Sequence, residues 1–110
     1  MWIASENRRL NGTIAAHAYT TIAYTYQKHS GSASARKTVA ELLSIFDVAR
    51  VDRAVLQRAL DLGWPDFEDA VTAACAEAAQ CDLIVTCDPR GFPRSPVPAR
   101  TPEATLRNFR

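Results

Sequence analysis

The sequence predicts an α/β fold with a mainly parallel sheet, on three observations. Segments of strand length alternate with segments of helical periodicity. Leu83-Ile84-Val85-Thr86 is a continuous apolar run without alternation, the pattern of a parallel strand covered on both faces. Just before it, Phe67, Ala70, Val71, Ala74 and Ala78 form one stripe of small and medium apolar residues, which lets a helix lie close against a sheet. At 110 residues the chain fits one domain over 1–110, with no internal repeat, low-complexity tract or long linker.

Taken in order, Trp2 to Leu10 reads as a short helix ended by Asn11-Gly12. Thr13 to Ala16 reads as a short strand. Ala18 to Lys28 has helical spacing at Ile22, Ala23 and Tyr26, opposed by its Thr and Tyr content. After a Ser/Gly break over His29 to Ser34, Ala35, Val39, Leu42, Leu43 and Phe46 mark one buried face of the next helix. Val48 to Val51 is a strand. Asp52 is the expected N-cap of a helix carrying Val55, Leu56, Ala59 and Leu60, which stops at Gly63. The small-residue helix, the buried strand and the loop Asp88-Pro89-Arg90-Gly91-Phe92-Pro93 follow. Val97 to Ala99 suits an edge strand, where proline is tolerated. Thr101 and Pro102 open a last helix as N-cap and N1.

Composition narrows the class. A hydrophobic content of 47% and a net charge of +1 describe a globular chain without a strongly basic face. No apolar run approaches the roughly 20 residues of a membrane span, and the N-terminal residues lack the order of a secretory signal, so the expected location is the cytoplasm. Cys75, Cys81 and Cys87 include no CxxC pair, which argues against a zinc site or a disulfide framework.

Acidic residues carry the candidate chemistry. In Asp66-Phe67-Glu68-Asp69, at the start of the small-residue helix, successive residues turn by about 100°, so Asp66 and Asp69 face one space while Glu68 points away to solvent. Asp66 is equally a good N-cap, and acids in a first turn favour the helix dipole. Asp88 lies just beyond the buried strand, at the strand end where open α/β sheets bind ligands, although Asp-Pro is also an ordinary turn opener. In a parallel unit a helix start and the next strand's end share one sheet edge. Asp69 and Asp88 can therefore converge there and hold Mg²⁺ or Mn²⁺ through oxygen. Such an ion activates water and neutralises charge on a phosphodiester. Arg90 and Arg94 flank this edge and suit phosphates. His17 and His29 are better read as capping or packing residues than as bases. Tyr19, Tyr24 and Tyr26 suit a core or dimer interface better than base stacking, and Trp2 and Trp64 suit packing.

Asp66 to Ala70, the Ala-rich helix, Leu83-Ile84-Val85-Thr86-Cys87-Asp88 and Gly91-Phe92 together resemble the second half of a bacterial PIN domain. Val97 to Glu103 is similar to that family's last strand and helix, and Ile14 to Ile22 resembles its second strand and following helix. The resemblance implies a three-layer α/β/α PIN-like fold and a VapC-type toxin ribonuclease, metal-dependent, paired with an antitoxin and forming a homodimer. By position it makes Asp69 the mid-chain metal ligand, Asp88 a late acid, Asp66 an accessory acid and Thr86 a pocket residue beside the RNA. The family's opening strand ending in Asp-Thr-Asn has no counterpart before Trp2, and Thr21 stands where an acid is frequent. The expectation is thus an N-terminally truncated PIN domain whose central strand must be replaced by rearrangement, by a borrowed strand or by residues upstream. A truncated, non-catalytic binding or dimerisation module is the alternative to a ribonuclease.

Overall fold

In the computed structural model, which describes residues 2–5 and 11–108, the opening segment is a strand and not a helix. This strand, β1 (Trp2–Ser5), lies between β2 (Asn11–Ala15) and β4 (Leu83–Val85). Residues 6–10, the rest of the expected helix, lie outside the described residues. The remaining strands are β3 (Asp47–Ala49) and β5 (Ala99–Arg100), and the sheet order is β3-β2-β1-β4-β5. Four residues have little helical preference of their own to defend, and two neighbouring strands offer them two hydrogen-bonded ladders. Tertiary pairing decides such a segment.

The direction of β1 is the main departure from a parallel sheet. Ile3 pairs antiparallel with Thr13 on one side and with Ile84 on the other. The pairs β2–β3 and β4–β5 are parallel, with Ile14 opposite Val48 and Ile84 opposite Ala99. The four outer strands therefore run one way and the central strand runs against them. The backbone groups of β2 and β4 that face the centre are met by β1.

The helices fall where the sequence puts them, but of the face expected to be buried over Ala35 to Phe46 only Ala35 is buried, Leu43 is exposed and Phe46 lies past the helix end. α1 (Ala16–Ser30) and α2 (Ser32–Ile45) form a hairpin broken at Gly31 alone, whose φ of 88° suits only glycine. Asp52 caps α3 (Arg53–Leu62), accepting from the Val55 N–H at 3.0 Å, and Gly63 ends it in the left-handed conformation. α4 (Phe67–Ala78) is buried all round from Ala70 to Ala76, more than the single stripe expected, while Phe67 at its start is exposed. Thr101 caps α5 (Pro102–Asn108), accepting from the Ala104 N–H at 3.2 Å.

All three residues of β4 are buried, so both of its faces are covered. Ile84 and Ala15 join the core that α3 and α4 complete with Val55, Ala59, Ala70, Val71 and Ala73–Ala76. Leu83, Val85 and Ile14 are buried outside that cluster. This is the layered α/β arrangement expected. Cys75 and Cys81 belong to the core, and burial pushes both thiols up to about 11, which leaves them inert. Tyr19 is buried, whereas Tyr24 and Tyr26 are exposed.

Candidate functional site

The parallel run of the outer strands fixes where chemistry can gather. The end of β4 leads into Thr86-Cys87-Asp88, and the start of α4 comes up against the same loop. The contact is close. A Cβ built on Gly91 would stand 3.0 Å from the Asp69 carboxylate oxygen Oδ2, so only glycine leaves this approach unobstructed. Gly91→Ala should push the Asp69 carboxylate aside while changing global stability little. Thermal melts and a metal titration check this: an unchanged melting temperature with weakened metal response is the expected pair.

Each acid has a definite local role. Asp66 caps α4, its Oδ1 accepting from the Asp69 N–H at 3.1 Å, as its alternative reading had it. Asp88 Oδ1 accepts from the Arg90 backbone N–H at 3.2 Å and from Arg90 Nε at 3.3 Å, closing a 3₁₀ turn over Pro89–Gly91. Thr86 is buried and its hydroxyl accepts from the Asp88 N–H at 3.2 Å, which sets the start of the loop. The Arg90–Asp88 ion pair is exposed on both sides and adds little stability, but it commits Arg90 to Asp88.

Asp69 differs from the other two. It is half-buried, and among the described residues its carboxylate makes no hydrogen bond or ion pair. Loss of water raises its pKa above the ordinary 3.8, and the negative charges of Asp66, Glu68 and Asp88 raise it further. An acid held unpaired among three others is poorly placed for stability and well placed to meet a cation.

Two neighbours were not evident from sequence. Glu68 is exposed, as expected, yet it does not simply point away: it accepts from the Thr21 hydroxyl at 2.7 Å, tying α1 to α4 beside Asp69. The signal was Thr21 itself, a hydroxyl at the position where an acid is frequent in the family that the sequence resembles. Thr72 donates to the Glu68 carbonyl at 3.1 Å, and its hydroxyl is also hydrogen-bonded to His17 Nε2 at 3.2 Å. His17 thus braces the start of α4, consistent with a packing role, while its Nδ1 is buried without a partner among the described residues.

β1 adds no acid to this edge. Trp2 pairs with Val85, so that end of β1 lies beside the site, and the reversed direction carries Ser5 to the opposite edge. Among the described residues, no group of three or more His, Cys, Asp or Glu is arranged to hold a metal ion. The residues present still fit Mg²⁺, which commonly binds through one or two carboxylates and completes its shell with water and substrate phosphate. Asp69 with both oxygens free, and Asp88 with one, are oxygen donors of the required hard kind. Arg94 lines a cleft with Trp64 and Pro65 and, among the described residues, makes no ion pair with the acids.

No curated protein sequence matches the chain significantly. A PIN domain family model matches residues 1–90, a span that contains Asp66, Asp69, Thr86, Asp88 and Arg90. The match covers most of the chain and all of the acid cluster, and the protein therefore belongs to the PIN domain family, a family of nuclease type.

Proposed function

We propose that the protein is a metal-dependent endoribonuclease of the VapC toxin type, acting in the cytoplasm on RNA. The observation that carries this reading is Asp69: an unpaired, half-buried carboxylate with Asp66, Glu68 and Asp88 around it and Gly91 held open against it. Asp69 and Asp88 would hold Mg²⁺ or Mn²⁺, with Asp66 as an accessory acid. When bound, such an ion supplies activated water and neutralises charge on the phosphodiester. The protein's own contribution is placement. Thr86 and the 3₁₀ turn fix Asp88, Gly91 admits the Asp69 carboxylate, and Thr21 holds Glu68 alongside. Half-buried Asp69 and the three acids gathered around it repel phosphate until a cation is present, so activity should be strictly metal-dependent.

An antitoxin and a second copy of the chain are the proposed protein partners. The exposed apolar side chains of Tyr24, Leu43, Ile45 and Val48, on α1, α2 and β3, support protein binding by these elements. A second reading, a non-catalytic binding or dimerisation module, is favoured by one observation: β1 brings no carboxylate to the site edge. Incubation with single-stranded RNA in EDTA, Mg²⁺ and Mn²⁺ separates the two. Cleavage restored by either metal supports the ribonuclease. RNA that survives intact in all three conditions supports the binding module.

A further inference from the structure

Beside the acid cluster lies a cleft of about 360 Å³, lined among others by Asp61, Gly63, Trp64, Pro65, Pro93 and Arg94. Its size falls at the small end of ligand pockets, suited to one flat ring system. We propose that this cleft binds one base of the RNA strand next to the cleaved phosphate, an inference that rests on the ribonuclease reading and adds a subsite to it.

Position comes first. One wall, Gly63-Trp64-Pro65, leads directly into Asp66 and the start of α4. The other, Pro93-Arg94, directly follows Gly91 and Phe92, and Gly91 is the residue pressed against Asp69. Both walls are thus covalent continuations of the two segments that carry the acids. A strand whose phosphate lies at Asp69 and Asp88 has its neighbouring base within reach of the cleft.

Chemistry selects a base over a phosphate. Trp64 packs edge-to-face with Phe92, centroids 5.7 Å apart and planes at 88°, so Phe92 covers at most one face of the indole. Trp64 is half-buried, packing against the core while lining the cleft, and an aromatic ring that a base can reach stacks on any base. Asp61 places a carboxylate on the lining, where its Oδ1 already accepts from Gln57 Nε2 at 3.2 Å. That charge disfavours phosphate and welcomes the amino edge of a base. Arg94 faces the cleft from the loop, and among the described residues its guanidinium makes no hydrogen bond or ion pair. Its backbone sits at φ 50°, a conformation that costs a non-glycine residue energy and is concentrated at functional positions.

The test uses the protein labelled with 5-fluorotryptophan, whose two tryptophans give two ¹⁹F resonances. A short single-stranded oligoribonucleotide is titrated with Ca²⁺ as the cation, which neutralises the acids, and its length is checked after each titration so that binding is read on intact RNA. The expected result is a saturable shift of the Trp64 resonance. Arg94→Gly, which relieves the left-handed backbone and so keeps the fold, should weaken binding several-fold. Trp64→Leu should weaken it by about tenfold, with a thermal melt to verify folding. RNA binding that saturates while the Trp64 resonance stays fixed and Arg94→Gly binds as wild type overturns the cleft and leaves the ribonuclease reading standing. Absence of any RNA binding overturns both.

Discussion

Asp69→Asn should abolish metal-dependent RNA cleavage while leaving the fold at least as stable at neutral pH. Loss of a direct ligand should exceed the roughly 100-fold cost typical of disturbing a ligand's outer partner. The stability half follows from the crowding of charge. An acid in the first turn of a helix gains about 0.3–1 kcal/mol from the dipole. Here desolvation and the charges of Asp66, Glu68 and Asp88 outweigh that gain, because the net effect raises the Asp69 pKa. A carboxyl whose folded pKa is raised binds protons more tightly folded than unfolded, so its effect is a penalty that grows with pH. Below the ordinary 3.8 both states are protonated and no penalty exists; as pH rises through the raised folded value it develops in full. The variant should therefore match wild type near pH 3 and equal or exceed it from the folded pKa upward. Paired cleavage assays and melting curves from pH 3 to 8 check this. Undiminished cleavage by the variant would refute the assignment of Asp69.

Ile3→Pro should cost far more stability than Gly91→Ala, Arg94→Gly or Asp69→Asn. Ile3 is opposite Thr13 in one ladder and opposite Ile84 in the other, at the middle of the sheet. Proline cannot donate to a ladder and is confined to edges, starts and bulges of strands. The loss should be on the scale of the roughly 3 kcal/mol that proline costs a helix interior, against a total stability of about 5–15 kcal/mol for a domain. Urea denaturation of the variant should show a midpoint far below wild type, or no cooperative transition. A wild-type midpoint would mean that Trp2–Ser5 does not hold the central position, and that β2 and β4 meet some other way.

What could be read from the sequence was what is locally determined. Asp52, Asp66 and Thr101 act as N-caps and Gly63 as a helix stop because each depends on residues within one turn. The run at Leu83–Val85 announced a strand covered on both faces, and it is one. Parallel α/β geometry put Asp69 and Asp88 at one sheet edge; in the structure Gly91, three residues past Asp88, stands against the Asp69 carboxylate, and the Asp88 charge reaches it. What escaped was non-local. Trp2–Ser5 takes its conformation and direction from partners 6 to 10 and about 80 residues away, a pairing that its own four residues do not encode. Burial around the whole circumference of α4, rather than along one stripe, required knowing that helices and sheet surround it. Glu68 escaped because its partner, Thr21, comes from another helix 47 positions earlier.

The proposed chemistry depends most on a cation binding between the start of α4 and the loop after β4. Titration of Mn²⁺ into ¹⁵N-labelled protein, read by paramagnetic broadening of backbone amides, tests this without requiring any substrate. The predicted result is saturable broadening centred on Asp69, Asp88 and Gly91, reversed by EDTA and lost in Asp69→Asn. Amides at these three positions that stay sharp while Mn²⁺ is in excess, or broadening centred elsewhere, would contradict it.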